Sequence, residues 1–305
     1  MNRILVIRGG AIGDFVLTLP ALKLLRDRFP NAQLEILGYK HIAALAEKRF
    51  YANDVRSIES GQLARFFSKD CELPADLVDY FASFDVIVSY LSDPDGIFEA
   101  NLKRCRIGTF VAGPARLDNR EHAAHQLARP LELLCLYLED LAARIFPSES
   151  DRASARKILG HQSCRCIAIH PGSGSETKNW PLATWQELGE GLLAQDHKLI
   201  VISGEADEER TRKLEFAWKG KAVQFARNLP LPHLAALLEN MIFLGHDSGI
   251  SHIAAAVGAR CVLLFGPTDP AIWAPANKNV TVLRAPEGKM RLLDVEAVIP
   301  AIPTN

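Results

Sequence analysis

Six short apolar runs without alternation punctuate the second half of the chain: Cys166–His170 and residues 199–202, 222–225, 241–245, 261–265 and 280–283. Each is strand-length and rich in Val, Ile, Leu or Phe. A strand with one wet face alternates apolar and polar residues. A run that does not alternate is buried on both faces, as in a parallel sheet covered by helices. Helical spacing fills the gaps: Leu182, Trp185, Leu188 and Leu192 share a face, and residues 205–219 begin acidic and end basic, as the helix dipole favours. Strand and helix in repeated alternation predict a doubly wound parallel α/β sheet.

The first half repeats the theme. Arg3–Arg8 reads as a strand, followed by a helical run to about Arg28 that Pro20 should kink or delay. Residues 33–37 and 85–89 read as strands, and 127–145 as one long apolar-periodic helix. Ser, Asp, Arg and Gly cluster over 147–164, which predicts a linker and hinge there. At 305 residues the chain is long enough for two domains, placed at 1–150 and 151–305. Two such sheets predict a cleft between them, with ligands beyond the carboxyl ends of the strands.

The charge balance narrows the partners. Lys and Arg total 35 against 36 Asp and Glu, a net charge of -1, which excludes the strong basic excess of a general nucleic-acid binder. No apolar run approaches the ~18 residues of a spanning helix. The apolar stretch 4–7 ends at Arg8, too short for a signal peptide. The six cysteines form no CxxC pair, so they read as reduced thiols in a cytoplasmic protein, with no metal site expected.

Four loops that follow strands carry the candidate chemistry. Gly9-Gly10-Ala11-Ile12-Gly13-Asp14 turns tightly after the first strand. It is not the GxGxxG of dinucleotide sites, because position 8 is Arg. Asp14 reads either as a carboxylate capping a helix or as a reactive group at the cleft. In His170-Pro171-Gly172-Ser173-Gly174-Ser175, small residues and hydroxyls can wrap an oxyanion, and Lys178 adds a point charge suited to phosphate. The alternative is a solvated loop leading into the helix at Pro181. Gly245-His246-Asp247-Ser248-Gly249-Ile250-Ser251-His252 runs from a strand into a helix, where free N–H groups attract anions; plain N-capping and a core histidine are the alternatives. Gly266-Pro267-Thr268-Asp269-Pro270 is a rigid turn. Glu205, after the 199–202 run, is placed either to accept from ribose hydroxyls or to start a helix.

Taken in order, these loops resemble glycosyltransferase family 9, the ADP-heptose:lipopolysaccharide heptosyltransferases. Gly13-Asp14 with Thr18-Leu19-Pro20-Ala21-Leu22 is similar to the family's opening signature. Arg106-Ile107-Gly108, His170-Pro171-Gly172, Lys178-Asn179-Trp180-Pro181, Asp247-Ser248-Gly249 with His252, and Phe265-Gly266-Pro267-Thr268-Asp269-Pro270 resemble later elements. The resemblance covers nearly the whole chain.

It implies a GT-B architecture of two Rossmann-like domains, the N-terminal one for the acceptor and the C-terminal one for a nucleotide-sugar donor. It implies inverting, metal-independent transfer of a sugar, with ADP-heptose as the donor and no cofactor. The acceptor implied is a lipid-linked or oligosaccharide hydroxyl of lipopolysaccharide type, reached by peripheral contact with the inner face of a membrane. Asp14 then falls on the catalytic base and Lys178 on the basic residue near the donor phosphates. Gly13, Gly172, Ser173, Glu205, Asp247, Ser248, Gly249, His252 and Thr268 fall on the donor site. Two other readings use the same fold: a sugar-nucleotide epimerase or hydrolase, and a non-catalytic sugar-nucleotide binding module. A serine hydrolase built on Ser248 and His252 is disfavoured, because the chain lacks GxSxG.

Overall fold

The structure is a computed structural model that describes residues 1–160 and 166–303. The chain divides into two compact units, Met1–Leu141 and Ala142–Asn305, each an all-parallel α/β sheet.

In the first unit, β1 (Arg3–Arg8), β2 (Gln33–Gly38), β3 (Asp54–Ser57), β4 (Val86–Ser89) and β5 (Thr109–Ala112) pair in the order β3-β2-β1-β4-β5. Strand order reverses between β1 and β4, where Ile4 pairs with Val86 and Ile7 with Ser89. In the second unit, β6 (Cys166–His170), β7 (Lys198–Ser203), β8 (Val223–Arg227), β9 (Ile242–His246), β10 (Arg260–Phe265) and β11 (Val280–Arg284) pair in the order β11-β10-β9-β6-β7-β8. Its reversal lies between β6 and β9, with His170 opposite Gly245. Crevices at such reversals, beyond the carboxyl ends of the strands, are where α/β sheets hold ligands. The loops after β1, β6 and β9 are therefore placed for chemistry by topology alone.

The inner strands of the second sheet, β6, β7, β9 and β10, are buried because side chains pack on both faces. One layer packs Trp180, Trp185, Leu188 and Trp218 against Ile167, Ile169 and Val201. The other packs Leu234, Leu237, Ala254 and Ala255 against Ala168, Ile200 and Phe243.

Two expectations are corrected, and each has a local cause. Residues 127–145 do not form one helix. The helix Ala123–Ala128 ends before Pro130, the chain tightens into a 3-10 turn over Arg129–Leu134, and Cys135 sits in the left-handed region at φ 57°. Pro130 has no N–H to continue the ladder, and the left-handed residue stops it. Nor is 147–164 a free linker. Glu149–Leu159 is a helix that Ser148 and Asp151 cap reciprocally, and Arg152 holds Glu239 through two hydrogen bonds of 2.8 and 2.9 Å. Cys164 lies outside the described residues. The second unit begins upstream of that helix, where the Ile145 N–H donates to Ala256 and the Asn277 side chain to the Ala143 carbonyl.

Pro20, by contrast, does not delay its helix, which runs unbroken over Ile12–Arg28. Every residue from Phe15 to Leu22 is buried. Packing on that scale outweighs the lost hydrogen bond at one proline.

Among the described residues no helix is long and apolar enough to cross a membrane. Among the described residues Cys71, Cys105, Cys135 and Cys261 are free thiols.

Candidate functional site

In the first unit the loop after β1 wraps a carboxylate. Asp14 stands in the first turn of the helix Ile12–Arg28, and its Oδ2 accepts the Ala11 N–H at 3.0 Å. Its main-chain carbonyl accepts from the Thr18 hydroxyl at 2.7 Å and from Arg8 Nη2 at 3.1 Å. The other carboxylate oxygen, Oδ1, is 3.9 Å from Arg8 Nη2, beyond hydrogen-bond reach, and the side chain is 39% exposed. Gly10 has φ 96°, and a Cβ there would come within 2.9 Å of Asp14 Oδ2. Asp14 thus caps its helix with one oxygen and keeps the other accessible. Gly13 stands beside it, in the first unit.

Arg8 is buried against the Tyr90 ring, with its Nε unpartnered. Burial lowers its pKa from the usual guanidinium range, and the Asp14 charge opposes that effect.

In the second unit, three loops meet on Asp247. Its Oδ2 accepts from Lys178 Nζ at 2.7 Å and from the Thr268 hydroxyl at 2.8 Å. Lys178 comes from the loop after β6, Asp247 directly follows β9, and Thr268 follows β10. The carboxylate is 9% exposed and Lys178 29%, so the cation is anchored from below and reaches solvent above. Ser248 caps the helix Gly249–Ala256, its hydroxyl accepting the Ser251 N–H at 3.3 Å. That helix start, with Gly249 at its first position, is where backbone N–H groups and the helix dipole favour an anion. His252 is buried one turn further along.

The remaining residues divide. Ser173 turns inward, toward the Ser175 carbonyl at 3.0 Å and Asn179 Oδ1 at 2.7 Å. Gly172 packs against the Asp207 carboxylate. Glu205 is exposed in a 3-10 turn, Glu205–Asp207, after β7.

Three groups that frame this site were not singled out from sequence. His246, the last residue of β9, is fully buried. Its Nε2 accepts from the Trp180 N–H at 2.9 Å and from Trp185 Nε1 at 3.3 Å, and its Nδ1 faces the Gly172 carbonyl at 3.4 Å. A carbonyl only accepts, so Nδ1 carries the proton and the ring is neutral. Arg210 donates to the Pro171 carbonyl at 3.2 Å and to the Trp180 carbonyl at 2.7 Å. Asp207 lies buried beneath Gly172. For His246 alone a signal was available: a polar residue closing an apolar strand, which in a parallel sheet marks the ligand edge.

Burial drives the His246 pKa from 6.5 to about 3, helped by the nearby charges of His170 and Arg210 and opposed by the Gly172 carbonyl. Burial also lowers His170. An unfolded chain takes up a proton on such a histidine below about pH 6.5, while the folded protein does not. Stability should therefore fall as pH drops from 6.5 toward 3, by up to about 1.4 kcal/mol per pH unit for His246. Urea unfolding between pH 4.5 and 7 checks this. His246→Gln should flatten the slope, and an unchanged slope would place the titration elsewhere.

Among the described residues no group of three or more His, Cys, Asp or Glu is placed to hold a metal ion.

A family model described as glycosyltransferase family 9 (heptosyltransferase) matches residues 116–300. Lipopolysaccharide heptosyltransferase 3 from Escherichia coli is 23% identical over 290 residues, covering 88% of this chain and 84% of that protein. Among solved structures, the E. coli ADP-heptose LPS heptosyltransferase II aligns at a TM-score of 0.79 with 17% identity, over 99% of this chain and 97% of that one. An E. coli heptosyltransferase solved with ADP aligns at 0.73 with 18% identity, over 98% of each chain.

Proposed function

This chain belongs to glycosyltransferase family 9 (heptosyltransferase) and has the GT-B fold, and from that premise we propose that it moves a heptose from ADP-heptose to a hydroxyl of a lipopolysaccharide-type acceptor, with inversion and without a metal. The observation that carries this is the convergence of Lys178, Thr268 and the Ser248-capped helix start on Asp247, at the strand-order reversal of the second sheet. It supports a seat for a diphosphate. A carboxylate repels phosphate, so Asp247 acts by holding Lys178 and Thr268 in place, and Lys178 and the helix start face the ligand. The second unit is thereby the donor domain and the first the acceptor domain.

In this reading the acceptor oxygen attacks the anomeric carbon from the face opposite the diphosphate. The new C–O bond forms as the old one breaks, through an oxocarbenium-like transition state. ADP leaves with the electron pair, and Lys178 and the helix N–H groups stabilise the charge growing on its outer oxygen. The acceptor proton passes to Asp14. A carboxylate suffices for this, because the hydroxyl becomes acidic only as the bond forms. A lipid-linked acceptor would bring the protein to the inner face of a membrane by peripheral contact.

Thermal unfolding in EDTA with ADP, UDP, GDP and their sugar conjugates tests the donor. At 100 times its dissociation constant, ADP should stabilise by about 2.7 kcal/mol, a shift of about 5–10 °C. Selective stabilisation by UDP or GDP would overturn the ADP-heptose assignment. Dependence on added metal would overturn the metal-free one. Free heptose or an epimer released from donor alone would instead favour a hydrolase or epimerase.

A further inference from the structure

The loop 171–180 carries Lys178, and two side chains from distant parts of the second unit fasten both of its ends. Arg210 bonds the carbonyls of Pro171 and Trp180. His246 lies beneath the loop, with one ring edge toward the Gly172 carbonyl and the other receiving the Trp180 N–H. Between these anchors the loop is tied to itself through Ser173 and Asn179, and the Asn179 N–H donates to the Glu176 carbonyl at 3.1 Å. The segment 173–179 is thus a closed arch whose feet rest on His246 and Arg210.

The imidazole suits this task because of its two edges. It donates at one foot and accepts at the other in a single rigid plane, held edge-on by Trp185, whose centroid is 5.3 Å away. An aliphatic side chain of similar size would leave the buried Trp180 N–H without a partner, which proteins seldom tolerate. The residue after His246 is Asp247, the anchor of Lys178. One short segment at the end of β9 therefore fixes both the feet of the arch and the charge it carries.

We infer that His246 is a positioning residue for Lys178: by bridging Gly172 and Trp180 it holds the arch at the height that presents the ammonium to a nucleoside diphosphate. This rests on the donor-site reading above.

Calorimetric titration of ADP in EDTA tests it, using wild-type protein, His246→Leu, His246→Gln, Lys178→Met and the double variant His246→Leu/Lys178→Met. His246→Leu should weaken ADP binding at least tenfold. His246→Gln keeps an acceptor and a donor on one amide and should recover most of that loss. In the Lys178→Met background, His246→Leu should cost less than twofold more, because its effect runs through the lysine. An equal tenfold loss in both backgrounds would make His246 merely structural and overturn the inference. So would unchanged affinity in His246→Leu. If His246→Leu does not fold, the cycle is run with His246→Asn, whose shorter amide cannot span both partners; the same outcomes decide. Wild-type protein that binds no ADP overturns the donor-site reading itself, a result distinct from variants that bind as well as wild type.

Discussion

Asp14→Asn should lower turnover by about a thousandfold while leaving ADP affinity within about twofold of wild type. The separation follows from how Asp14 is held. The Thr18 and Arg8 bonds go to its main-chain carbonyl and survive any change of side chain. The bond from the Ala11 N–H goes to a carboxylate oxygen that the asparagine carbonyl can replace. The first turn of the helix therefore keeps its cap, and only proton acceptance is lost. Asp14→Ala loses the cap as well and should cost about 1 kcal/mol of stability on top. Steady-state rates of ADP release, with ADP titration alongside, read both effects. Equal losses of turnover and affinity in Asp14→Asn would show that Asp14 serves binding, and the assignment of the base would fall.

The capping and catalytic readings of Asp14 were alternatives in the sequence, and the geometry makes them compatible. One oxygen caps while the other stays open. Ser248 repeats the pattern, capping its helix at the point where an anion would sit. A residue at a helix start after a parallel strand is doubly employed because the fold supplies unpaired N–H groups there. Spacing alone cannot separate the two uses.

What was legible follows burial. The inner strands β6, β7, β9 and β10 announced themselves as apolar runs because both of their faces are covered; the edge strands β8 and β11, half-buried or exposed over most of their length, still carry Val, Phe or Leu enough to be read. The edge strands β3 and β5 do not. Asp54–Ser57 is exposed or half-buried throughout and Thr109–Ala112 buries only Val111 fully, so neither leaves a hydrophobic run to read. Lys178, Asp247 and Thr268 were each legible as polar residues in loops after strands, but not as a set. Lys178 and Asp247 stand 69 positions apart, and their pairing depends on β6 and β9 being neighbours. Motif order suggested that adjacency through family resemblance, whereas periodicity did not. His246 left one faint signal, a polar residue closing an apolar strand, and Arg210 and Asp207 left none, for a related reason. They act on the backbone of another loop, and backbone contacts leave no trace in residue type.

One such contact yields the second large effect. A Cβ on Gly172 would lie 1.6 Å from Asp207 Oδ1 and 2.2 Å from its Cγ. Asp207 has little room to yield, since it is buried with its Oδ2 3.7 Å from His170 Nε2. Gly172→Ala should therefore push the loop off its His246 foot. We expect a loss of about 1–3 kcal/mol of stability and at least a tenfold loss of ADP affinity, read by urea unfolding and ADP titration. The cause is contact rather than backbone strain, which Gly174 makes clear. That glycine has φ 70° and open space around it, so Gly174→Ala should cost only about 1 kcal/mol, through its conformation. If contact is the cause, removing the opposing carboxylate should help: Gly172→Ala/Asp207→Ala should bind ADP more tightly than Gly172→Ala alone, although Asp207→Ala by itself gains nothing. A double variant no better than the single one would mean that the loop needs a glycine at 172 for its own path, and that Asp207 is only its neighbour.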